Sequence, residues 1–71
     1  MKQQLPQQQQ RQLYFASFGS HRIWDFLRVS ERLGLSLTEI EHGPNYTTMG
    51  FVTTEDVAKE VYDAGFHVSE Q

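Results

Sequence analysis

The side chains of this 71-residue chain able to bind a metal, move a proton or attack a substrate are three histidines, nine carboxylates and scattered hydroxyls. His21, His42 and His67 lack the spacing of zinc ligands and have no cysteine to complete a site. Each falls at the end of an element or on a short strand, which predicts surface or turn histidines and no metal. Glu39 and Glu41 alternate along one stretch and are expected to share and solvate one face. Glu55, Asp56, Glu60 and Asp63 fit the outer side of a helix. Paired carboxylates can serve general acid–base catalysis only in a cleft that shifts their pKa, and no pocket is indicated. Ser17, Ser20, Thr47, Thr48, Thr53 and Thr54 suit strand and cap roles, and Phe18-Gly19-Ser20 holds a single glycine, too few for a phosphate loop. With no cysteine there is no thiolate nucleophile and no disulfide. The expectation is a protein that is not an enzyme and uses no cofactor.

Recognition by contact is better represented. Leu13 to Phe18 holds three aromatics, one Leu and no charge, bounded by Gly19 and Ser20, and reads as a buried or nearly buried strand. Leu13, Phe15 and Ser17 would point one way, and Tyr14, Ala16 and Phe18 the other. A short chain can cover one sheet face with helices and has little left for the second. Tyr14, Ala16, Met49 and Phe51 are expected on that exposed face as the binding surface. In the opposite register they are core, and Leu13, Phe15, Thr48, Gly50 and Val52 face out. Either way one apolar face is left over, and an uncovered apolar patch on a small protein marks an interface. A second candidate is Trp24 with Arg28 one turn on, a hot-spot composition that could equally be a cation–π pair lying over the helix–sheet boundary.

These residues need elements to hold them. After the first strand, Ser20 can cap a helix over about His21 to Leu33, with Ile23, Phe26, Leu27, Ser30 and Leu33 on one face and Gly34 ending it. Leu35 to Ile40 reads as strand two, His42 to Asn45 as a turn, and Tyr46 to Thr53 as strand three of a hairpin. Thr53 or Thr54 caps a second helix whose apolar face is Val57, Ala58, Val61 and Ala64, and Gly65 stops it. Phe66 to Ser69 is a short fourth strand.

Residues 32–39 and 63–70 form a faint repeat, each ending a helix with glycine and starting an apolar–polar–apolar strand. A strand–helix–strand unit used twice gives α+β architecture of the ferredoxin-like βαββαβ plan: a four-stranded antiparallel sheet with two helices on one face. Leu13 to Phe18 resembles the first short motif of RNA-recognition-motif domains, and Thr47-Thr48-Met49-Gly50-Phe51-Val52 resembles a degraded second motif. That resemblance implies that Tyr14 and Phe51 stack on bases of single-stranded RNA. The motif's basic residue is Thr47 here, and Met49 and Thr54 replace two aromatics. Residues 13–70 also resemble compact bacterial βαββαβ domains of the putative signal-transducing and sulfur-carrier-like kind, through Arg32-Leu33-Gly34, Thr54-Glu55-Asp56 and Ala64-Gly65. The carrier-like members bear a cysteine that this chain lacks, so their chemistry does not carry over.

Size and charge bound the rest. Residues 1–12, rich in Gln and broken by Pro6, are expected to be a disordered tail ahead of a single domain over 13–71. From Gln12 onward four cations face nine acids, a net charge of −5, and after Thr38 there are seven acids and one Lys. This asymmetry disfavours a phosphate-binding surface, and with it RNA. No apolar run approaches a membrane span, and the first residues lack the apolar core of a secretory signal, so a cytoplasmic location and no membrane contact are expected. The expected role is a small non-catalytic protein-binding or regulatory module, accessory or inhibitor-like, with a protein partner or a homodimer. Single-stranded RNA binding and small-molecule sensing are the alternatives.

Overall fold

The fold comes from a computed structural model that describes residues 10–71. Most of the Gln-rich stretch, residues 1–9, lies outside the described residues. The elements in order are β1 (Gln12–Gly19), a single 3₁₀ turn (Ser20–Arg22), α1 (Ile23–Leu33), β2 (Leu37–His42), β3 (Tyr46–Thr53), α2 (Glu55–Asp63) and β4 (His67–Glu70). Gln12, assigned above to the tail, is the first residue of β1, and its side-chain amide donates to the Tyr14 hydroxyl at 2.6 Å. The strands form one antiparallel sheet in the order β2-β3-β1-β4. An α+β chain with two helices and this sheet is consistent with a ferredoxin-like fold.

The helix ends follow from single residues. Gly34 closes α1 with φ of 70°, a left-handed conformation that side chains resist. Thr54 caps α2 by accepting from the Val57 amide at 3.4 Å. Ser20 does not cap α1. Its hydroxyl instead donates to the Gly43 carbonyl at 2.7 Å, because a 3₁₀ turn intervenes and turns Ser20 toward the β2–β3 connection.

The core lies on one side of the sheet. Tyr14, Ala16 and Phe18 of β1 and Met49 and Phe51 of β3 are buried with Phe26 of α1, Ala58 and Val61 of α2, and Phe66. Phe18 stacks on Phe26 with centroids 4.7 Å apart, and Phe66 meets both rings edge-on. Leu27, expected in the α1 core stripe, is not packed against this cluster; Val29 is. The stripe is rotated toward Phe26 and Ser30, the two buried residues of α1.

Candidate functional site: the outer face of the sheet

Tyr14, Ala16, Met49 and Phe51 are not on an exposed face. Tyr14 is 3% and Phe51 1% exposed, and Ala16 and Met49 are buried with them beneath the helices. The correction has a volume basis. Their side of β1 also carries Phe18, whereas the opposite side of the β1–β3 pair carries Ser17, Thr48 and Gly50. Two helices bury more apolar volume against the first set, so that set became the core.

The face left over is built from the other register. Across the central strands Leu13 pairs with Val52, Phe15 with Gly50, and Ser17 with Thr48. Ile40 joins them from β2. A β-bulge makes Ile40 an extra residue between the pairs Glu39–Met49 and Glu41–Thr48. A Cβ built on Gly50 would lie 3.4 Å from Ile40 Cδ1 and 3.6 Å from Phe15 Cε1. Both are ordinary contact distances, so Ile40 and Phe15 meet over Gly50 and join the apolar surface of the two central strands to β2. Ile40 and Val52 are each 52% exposed, and Leu13 and Phe15 are half-buried. Next to them the Ser17 and Thr48 hydroxyls bond to each other at 3.1 Å.

The bulge also overturns an expectation about charge. Glu39 stands opposite Met49, whose side chain is core, and Glu41 opposite Thr48, whose side chain is not. The two carboxylates therefore do not share a face. Glu41 sits at the β2 edge of the outer face. At the β4 edge of the same cross-strand row lies His67, opposite Ser17.

Trp24 and Arg28 lie elsewhere, on the outer side of α1. Trp24 is 71% exposed, so it does not lie over the helix–sheet boundary. With Leu27, Arg28 and Glu31 it lines a surface hollow of about 380 Å³. Arg28 reaches Asp25 at 4.0 Å, and the cation–π contact observed is that of Arg22 over the Phe66 ring at 4.2 Å. Arg22 also donates to the Gly65 carbonyl at 2.8 Å. A shallow cleft of about 300 Å³, for which the sequence offered no signal, opens between α2 and β4, with Ala58, Tyr62 and Val68 among its walls and Glu55 and Glu70 at its rim.

All three histidines are exposed. His42 alone enters a polar cluster. Ser20 spends its one hydroxyl proton on the Gly43 carbonyl, so Thr47 must donate to Ser20 Oγ at 2.8 Å. Thr47 Oγ1 then has no proton left for His42, and His42 Nδ1, 2.9 Å away, must be the donor. The fully buried Thr47 thus ties the β2–β3 turn to the turn before α1. Among the described residues no group of three or more His, Cys, Asp or Glu side chains could hold a metal ion, and no helix is long and apolar enough to cross a membrane.

Comparison with protein families, with curated proteins and with solved structures found no match.

Proposed function

We propose that the chain is a small non-catalytic, protein-binding regulatory module on the ferredoxin-like βαββαβ plan, and that it acts through the outer face of its sheet. The observation that carries the proposal is the uncovered surface of Leu13, Phe15, Ile40 and Val52, with Ile40 and Val52 half in solvent. A contiguous apolar surface across the central strands costs a small domain solubility unless a partner covers it. The setting proposed is the cytoplasm, in keeping with a chain free of cysteine.

The RNA reading has lost its carriers. Tyr14 and Phe51, the residues that the recognition-motif resemblance would stack on bases, are in the core, and the exposed face presents Leu13, Phe15, Ile40 and Val52 beside the Ser17 and Thr48 hydroxyls. The second surface worth keeping is α1. Among the described residues Trp24 is the most exposed large hydrophobic side chain, beside a solvent-facing Arg28.

A photo-cross-linking amino acid placed at Val52, at Ile40 or at Trp24 in producing cells tests the assignment. The sheet-face reading expects protein adducts from positions 52 and 40. Adducts from position 24 alone would move the function to α1, and none from any position would remove the binding role.

A further inference from the structure

We propose that two copies of the chain pack outer face to outer face, about a two-fold axis parallel to the central strands, with Glu41 of each copy against His67 of the other. This rests on the reading of the outer face as a protein-contact surface and names its occupant as a second copy.

The register supplies the geometry. Glu41, Thr48, Ser17 and His67 form one row straight across the sheet, from the β2 edge to the β4 edge. A two-fold axis running along the strands between β3 and β1 reverses that row. It lays the β2 edge of one copy over the β4 edge of the other, and so Glu41 over His67. The same operation sets Ser17 over Thr48, Leu13 over Val52, and Phe15 over Gly50. The contact is isologous, closes on itself and leaves no open end. The row thus places an acceptor at one edge and a potential donor at the other, which a self-complementary surface requires.

Area and charge agree with a second copy. Four strands about 4.8 Å apart and about six residues long, at about 3.4 Å per residue, present roughly 400 Å² per copy. Doubled, this is about 800 Å², below the standard size and in the range of weak, transient encounters, which suits a reversible dimer of low affinity. The net charge of the chain would oppose association if it faced the contact. Glu55, Asp56, Glu60 and Asp63, however, lie on α2, which packs against the other face. Stacked sheets about 10 Å apart, each backed by a helix layer, hold the two α2 surfaces more than ~20 Å apart, beyond the ~8 Å screening length.

Sedimentation equilibrium of the full chain from micromolar to millimolar concentration, with the fold of each variant checked by its amide spectrum, tests the pairing. The wild type is expected to show a concentration-dependent dimer. Val52→Lys, which places a charge in the apolar contact, raises the dissociation constant by about tenfold or more, and Trp24→Ser leaves it unchanged. Glu41→Lys and His67→Glu each weaken the dimer, by setting like-charged or unpaired groups against each other, and the double variant restores it. A wild type monomeric throughout overturns the second copy as occupant. An adduct of another mass from a cross-linker at position 52 would then show that the sheet-face reading survives without it. A dimer indifferent to Val52→Lys, or one that the double variant fails to restore, overturns the proposed pairing.

Discussion

Thr47 shows how one side chain can fix the state of two others. It is fully buried, accepts a hydrogen bond from His42 Nδ1–H and donates one to Ser20 Oγ. Thr47→Val keeps the shape and removes both bonds, leaving Ser20 Oγ and His42 Nδ1 to find other partners. The expected loss is about 1–3 kcal/mol in urea unfolding, and no loss would mean that the cluster contributes nothing to the fold. The same proton count predicts that neutral His42 is the Nδ1–H tautomer, readable from its ring-nitrogen resonances. An Nε2–H tautomer would contradict the bonding direction assigned here. None of this was legible beforehand. Ser20 read as a helix cap and Thr47 as a strand residue, because a contact between turns 23 to 27 residues apart leaves no local pattern.

At the scale of elements, local chemistry was readable and facing was not. Tyr46–Thr53 matches its expected strand to the residue, and Gly34 and Gly65 end their helices with positive φ. Gly34 has nothing within 4 Å of where a Cβ would stand, so Gly34→Ala isolates the backbone term: a loss of about 1 kcal/mol, measured by thermal or urea unfolding, with unchanged stability as the contrary result. The face of β1 was a different matter. Leu13 and Phe15 are more apolar than Tyr14 and Ala16 until Phe18 is added to one side and Ser17, Thr48 and Gly50 to the other. The two faces were already grouped across β1 and β3, and a count of apolar volume that included Phe18 would have decided which was core. The bulge at Ile40 left a trace that was not used: Leu35 and Leu37 keep a two-residue period that Ile40 breaks, and β2, which begins at Leu37, shifts register between Glu39 and Glu41. The bulge and the flanking carboxylates also make β2 a poor edge for further strand addition, which directs association to the face.

For the whole molecule, what was foreseen is that one apolar face would be left over; what was not is which. A domain this small has one core layer, and both helices are committed to it. Covering the second face by a copy of itself would add a second apolar layer without adding chain, the usual remedy for a scaffold with no disulfide. The acidic outer side of α2 then stays outermost, where it opposes phosphate backbones and favours solubility. Single-stranded RNA added at low salt should therefore leave the outer-face resonances in place.

The most direct test is a series of two-dimensional amide spectra of the labelled chain at rising concentration. Progressive shifts are expected at Leu13, Phe15, Ile40, Glu41, Val52 and His67, with residues around Trp24 and Arg28 unmoved. Spectra that do not change with concentration, or changes centred on α1, would contradict a paired outer face.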